Sequence, residues 1–114
     1  MGFTTMPKAG ELWLAEIPFT SGMASKLRPV LVLWEDMADV VVAAVTKAVP
    51  RSPTDVSLRD WASEGLVVAS TVRLSRLDCL EQSLLRRRLG TISPGDARLV
   101  KAAWSQHAQL RFNL

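Results

Sequence analysis

The chain has 114 residues, is 48% hydrophobic, and sets 14 basic against 11 acidic side chains for a net charge of +3. That is apolar enough for one packed domain over residues 1–114 and excludes a disordered chain; the mild positive charge permits a nucleic-acid partner without requiring one. No stretch reaches the ~18 apolar residues of a membrane span, and a single cysteine and a single histidine exclude an internal disulfide and an ordinary zinc site. The lone thiol fits a reducing, cytoplasmic compartment, and residues 1–10 carry no apolar run of the kind a secretory signal needs.

Residues 11–17, Glu-Leu-Trp-Leu-Ala-Glu-Ile, read as a strand ending at Pro18. Residues 18–27 are polar and turn-rich, hence a loop. An apolar strand follows over 29–34, with Pro29 at its first position, where a missing N–H does least harm. A turn at 35–38 leads to 39–46, Asp-Val-Val-Val-Ala-Ala-Val-Thr, whose unbroken apolar content predicts a strand covered on both faces. Pro50 and Pro53 mark a second loop, and 54–58 return as a short strand. Beyond it the pattern predicts one helical turn over 59–64, a strand over 65–74, and a short helix and then a strand over 79–91. Ser93 is a good N-cap, Pro94 suits the first helical position, Asp96 is placed as in a capping box, and Val100, Ala103, Trp104 and His107 fall at helical spacing. Short strands followed by one C-terminal helix predict a mainly β, α+β fold, a small, strongly bent sheet or barrel.

No nucleotide-binding glycine motif, nucleophile elbow or metal-ligand cluster is present. His107 lies on the apolar helix face and reads as packed rather than catalytic; Cys79 reads as a structural thiol, and Arg86, Arg87 and Arg88 as a solvated edge. Two polar residues remain at strand ends beside loops. Arg28 ends the first loop and Thr46 opens the second, the kind of place where a rigid sheet carries a site. A solvated arginine before a proline and a threonine that merely favours strands stand as the plain alternative.

Gly10-Glu11-Leu12-Trp13, then Pro18-Phe19-Thr20, then Lys26-Leu27-Arg28-Pro29 and an aliphatic strand resemble the opening of the MazF/PemK (Kid-like) toxins. Val42 to Thr46 is similar to that family's third strand, the stretch from Gly65 to Arg73 to a later one, and the stretch from Arg88 to Ser93 to the turn before its last helix; the likeness spans roughly residues 9–110. The resemblance implies a small barrel related to SH3 folds, of the type shared by MazF and CcdB, and a homodimer. It implies a toxin of a bacterial toxin–antitoxin pair, an endoribonuclease that cuts single-stranded mRNA without a metal or other cofactor. The RNA's 2′-hydroxyl would attack the adjacent phosphorus, leaving 2′,3′-cyclic phosphate and 5′-hydroxyl ends.

Carried over by position, Arg28 and Thr46 match the arginine and threonine that the family uses in catalysis. Lys26, Lys47 and Arg51 flank the two loops as candidate phosphate ligands. Thr20 and Ser21 of the first loop join them, as does Thr71, which stands where some members carry a glutamine near the RNA. The implied partners are single-stranded RNA and a cognate acidic antitoxin protein, with DNA engaged only through the antitoxin and no membrane. The competing reading is a non-catalytic binding module of the same fold, such as a gyrase-poisoning toxin, which would depend on the terminal helix.

Overall fold

The computed structural model describes residues 6–18 and 24–114. Its strands are β1 (Glu11–Pro18), β2 (Ser25–Asp36), β3 (Asp39–Thr46), β4 (Asp55–Ser57), β5 (Thr71–Glu81) and β6 (Leu85–Thr91). A short 3-10 turn, Gln82–Leu84, joins β5 to β6, and the helix α1 (Pro94–His107) follows. The strands form one antiparallel sheet in the order β4-β5-β3-β2-β1-β6. Among the described residues β4 and β6 do not pair, so the sheet is open rather than a closed barrel.

The apolar run of β3 is explained by its place between β5 and β2. Val40 and Val42 pack on one face with Trp13, Ala15, Val30 and Val32. Ala43 and Val45 pack on the other with Leu12, Leu31, Val72 and Leu74, where α1 adds Val100. Each such valine or leucine contributes about 1.5–3 kcal/mol when fully buried. No helix residue belongs to the first of these clusters, so α1 covers one face of the sheet only.

The main departures from the expected strands are in β2 and β5. β2 starts at Ser25, inside the expected loop, because 25–28 pair with 15–18 of β1. Pro29 therefore lies within the strand, opposite Leu14. It is tolerated because the β2–β3 ladder begins only at Val30, which leaves no partner on that side for the missing N–H. The expected strand over 65–74 is displaced: 66–70 are irregular, and β5 begins at Thr71 and runs on through the polar stretch 75–79. Gly65 causes the break. Its φ is +92°, and a Cβ there would strike the Leu89 carbonyl, just as a Cβ on Gly90 would strike that of Glu64. Only two glycines permit this contact between backbones.

The start of α1 is also held differently from a simple capping box. Ser93 Oγ does accept from the Asp96 amide, at 3.1 Å. The Ser93 amide, however, donates to Glu64 Oε2 at 2.8 Å, while the Asp96 carboxylate accepts the amides of Arg59 and Asp60, both at 3.0 Å. The turn over 59–64 is thereby fastened to the helix. Glu64 is 1% exposed, and its Oε1 has no hydrogen-bond partner. Burial, with Asp96 beside it, pushes the Glu64 carboxyl up to about 7, against the pull of the Ser93 amide. Burial works to raise Asp96 as well, but the Asp60 and Arg59 amides hold it below the usual carboxylate range.

Candidate functional site

Arg28 was expected at the end of a loop but lies inside β2, whereas Thr46 is the last residue of β3, as expected. The β2–β3 ladder ends at Val30↔Ala44, two residues short of both Arg28 and Thr46, so the two residues lie beyond the same end of that ladder without pairing across it. Thr46 pairs with Thr71 of β5, Thr71 with Ser57 of β4, and Arg28 with Ala15 of β1. The outermost row is therefore split in two, Ala15 with Arg28 and Thr46 with Thr71 and Ser57. The row beside it reads Trp13, Val30, Ala44, Arg73, Asp55. Directly paired residues stand about 4.5–5.5 Å apart, and the two rows about 6.6 Å apart. Strand alternation places both rows on the face away from α1.

Arg28 is exposed, and among the described residues no carboxylate pairs with it. Thr46 is half-buried, and its Oγ1 accepts from the Ala48 amide at 3.2 Å, a local bond that turns the chain out of β3. Used as an acceptor in that bond, the hydroxyl still has its own hydrogen to donate. Lys26 lies two residues from Arg28 on the same face of β2, and Lys47 and Arg51 are exposed on the loop that leaves Thr46. Thr71 is 3% exposed, so its hydroxyl is covered in the single chain. Thr20 and Ser21 lie outside the described residues.

Arg73 and Asp55 belong to the site region and were not singled out from the sequence. Arg73 Nε donates to Asp55 Oδ1 at 3.3 Å, and the Asp55 side chain is 1% exposed. The only available signal was the cross-strand spacing of 55 and 73, which depends on knowing that β4 pairs β5. Arg86, Arg87 and Arg88 are exposed on the edge strand β6, as expected, and two of them also form ion pairs. Arg86 meets Glu16 at 2.9 Å, and Arg88 Nε meets Glu11 Oε2 at 2.8 Å. Burial alone would raise Glu11, but Trp13 Nε1–H, the Lys8 amide and Arg88 hold its carboxyl below the usual range.

No three His, Cys, Asp or Glu side chains gather to hold a metal among the described residues, and none of their helices is long and apolar enough to cross a membrane. An apolar cleft of about 500 Å³ lies on the opposite face, between β2 and α1, lined by Leu31, Leu33, Ile92, Val100 and the edge-to-face pair Trp34 and Trp104. It contains none of the row residues.

A family profile described as PemK-like, MazF-like toxin of type II toxin–antitoxin system matches residues 8–107. No curated protein matches the chain. Among solved structures, an endoribonuclease from a mycobacterial species, in complex with its cognate antitoxin, superposes with a TM-score of 0.75 at 20% identity, over 93% of this chain and 98% of that one. Mycobacterium tuberculosis toxin MazF-mt6 gives 0.70 at 22% identity, over 90% and 99%. MazE–MazF from Deinococcus radiodurans gives 0.67 at 21% identity, over 95% and 100%. At these identities the structural likeness is one of fold, while the profile covers nearly the whole chain. The chain belongs to the PemK-like, MazF-like toxin family of type II toxin–antitoxin systems.

Proposed function

We propose that this protein is a sequence-selective endoribonuclease that cuts single-stranded RNA, with Arg28 and Thr46 acting on the scissile phosphate. The observation that carries the reading is an exposed arginine with no carboxylate partner among the described residues and a hydroxyl donor, both just beyond the last β2–β3 pair, in a chain of this toxin family. Solved relatives described as endoribonucleases support it.

The chemistry asks little of the protein. The 2′-oxygen of the RNA bonds to phosphorus, the bond to the 5′-oxygen breaks, the 2′-hydroxyl proton leaves, and the 5′-oxygen gains one. The RNA brings its own nucleophile, so no serine or cysteine is needed. The protein has to hold attack in line and stabilise the extra negative charge on the phosphorane. Arg28 offers a fork of N–H donors for two phosphate oxygens, and Thr46 offers one more donor from the neighbouring strand. Arginine stays protonated, so Arg28 acts as a charged donor rather than a base. Lys26, Lys47 and Arg51, all exposed, are the candidate ligands for the flanking phosphates.

Two copies of the chain form the working toxin, in the cytoplasm, and an acidic antitoxin segment silences it by laying carboxylates along the same cations. The antitoxin complexes of the solved relatives support this part. DNA is reached only through the antitoxin.

The test incubates end-labelled single-stranded RNA, and the same sequence as a duplex, with purified protein in excess EDTA. Cleavage of the single strand at discrete positions, unchanged by chelator, is expected. Abolition by EDTA would contradict the metal-free reading, and intact RNA with inhibited gyrase would favour the binding module.

A further inference from the structure

We infer that Asp55 is a positioning residue of this site, a buried carboxylate that ties the loop between β3 and β4 to Arg73 and so fixes a second cation, Arg73, one row from Thr46. The inference rests on the RNA-cleaving reading above.

A carboxylate buried on a three-residue edge strand is costly unless it is fully engaged. Asp55 divides its two oxygens between two elements. Oδ2 accepts the Arg51 amide at 2.9 Å, and Oδ1 accepts Arg73 Nε at 3.3 Å. The Asp55 amide donates back to Ser52 O at 3.0 Å, and the Leu74 amide to Thr54 O at 2.9 Å. The loop that leaves Thr46 and carries Lys47 and Arg51 is therefore clipped at its far end to Asp55, and through it to β5.

The contact made by Arg73 is as informative. Only Nε meets Asp55, and among the described residues the two Nη groups make no hydrogen bond. The side chain is 22% exposed, and its unbonded Nη groups are not among the fully buried polar atoms. Arg73 pairs with Ala44, a small residue, and stands one row from Thr46. A guanidinium held by Nε with its outer edge open is prepared for a second oxyanion, here a phosphate of the strand bound at Arg28. Asp55 itself touches no RNA; it sets the direction of a group that does.

The experiment compares wild type, Asp55→Asn, Arg73→Ala and the double variant, with kcat and KM measured on a fluorogenic single-stranded RNA and folding followed by thermal melting. Asn preserves the size of the side chain and an acceptor for the Arg51 amide but removes the charge that orients Arg73. KM is expected to rise about tenfold, the loss of one charged contact, with kcat within about threefold. The double variant should be no worse than Arg73→Ala alone, because the two residues act through one contact. Wild-type KM in a folded Asp55→Asn protein, or losses that multiply in the double variant, would overturn the inference. If Asp55→Asn does not fold, Arg73→Gln, which leaves the Asp55 bond to the Arg51 amide untouched, is read instead, and a wild-type KM in that folded variant would overturn the inference. The Arg73 Nε–H NMR signal decides the tie without RNA. Its exchange with water should speed up about tenfold in the variant, and unchanged exchange would overturn the tie. A wild-type protein that leaves RNA uncut fails before any variant is compared, and that result falls on the RNA-cleaving reading itself.

Discussion

An Arg28→Ala protein folds normally and cleaves single-stranded RNA about 10²–10³ more slowly than wild type in single turnover, the cost of one preorganised charge-stabilising donor. Folding is spared because Arg28 is exposed and none of the described carboxylates depends on it for neutralisation. The rate falls because charge accumulates on the phosphorane oxygens as the 2′-oxygen attacks, and a fixed guanidinium is matched to that charge more closely than to the ground state. Arg28→Lys recovers part of the loss but not all of it, since a point ammonium cannot bridge two oxygens as a fork does. Thr46→Ala costs less than Arg28→Ala, because a neutral hydroxyl is the weaker donor. It also removes the acceptor of the Ala48 amide, so its effect includes some loosening of the loop that carries Lys47. Single-turnover rates on a quenched-fluorophore RNA, with melting curves for each variant, read these differences. A folded Arg28→Ala protein that cuts at the wild-type rate would remove Arg28 from the chemistry.

The second large effect is on stability. Glu64→Gln is expected to stabilise the protein at pH 8 and to leave it nearly unchanged at pH 4.5. Burial and the neighbouring Asp96 raise the folded carboxyl from 4.5 to about 7. A raised folded value means that the neutral form is favoured by folding. This contribution is therefore full below about pH 4.5 and is lost as pH rises through about 7. Asp96 has the opposite sign: its lowered value contributes above its unfolded range and is lost as pH falls below it. The orphaned Oε1 of Glu64 gives the structural reason. As a carboxylate oxygen it has no donor; as a protonated O–H it can donate to Asp96, whose oxygens already hold the amides of Arg59 and Asp60. A glutamine amide makes that donation at every pH and keeps an acceptor for the Ser93 amide. Urea unfolding across the pH range should show the variant ahead by about 2–3 kcal/mol above pH 7.5, with the gap closing towards pH 4.5. Parallel curves for the two proteins would show that Glu64 does not titrate with folding.

Much of this arrangement could be read before the fold was known, and the exceptions have physical causes. Strand β3 was legible to the residue because both its faces are covered and its run of Val and Ala has no polar break. The helix start was legible from Ser93 and Pro94, but the true partner of the Ser93 amide, Glu64, is 29 residues away and carries no local signal. The strand placed at 65–74 followed a run of Leu and Val, whereas Val67 and Val68 are exposed and Gly65 is bound to a left-handed conformation by its contact with Leu89. Continuing β5 through 75–79 depended on pairing with β3, which polar residues do not announce. Thr46 ends β3 as expected, but Arg28, expected at the end of a loop, lies inside β2, because the pairing of 25–28 with β1 carries no signal in that polar stretch. Asp55 and Arg73 were missed because their partnership exists only across strands, and a buried aspartate looks in sequence like any loop residue.

The central claim, that the RNA supplies the nucleophile while Arg28 and Thr46 stabilise the phosphorane, is tested most directly by a single deoxy substitution. Once the wild-type protein's cut site in a short single-stranded RNA is mapped, the same oligonucleotide is made with a 2′-deoxy sugar on the 5′ side of that bond. The account predicts binding within a few-fold of the all-RNA strand, no cleavage at the substituted position, and 2′,3′-cyclic phosphate and 5′-hydroxyl ends on the unsubstituted strand. Cleavage at the deoxy position would contradict it, because the attacking oxygen would then have to come from water.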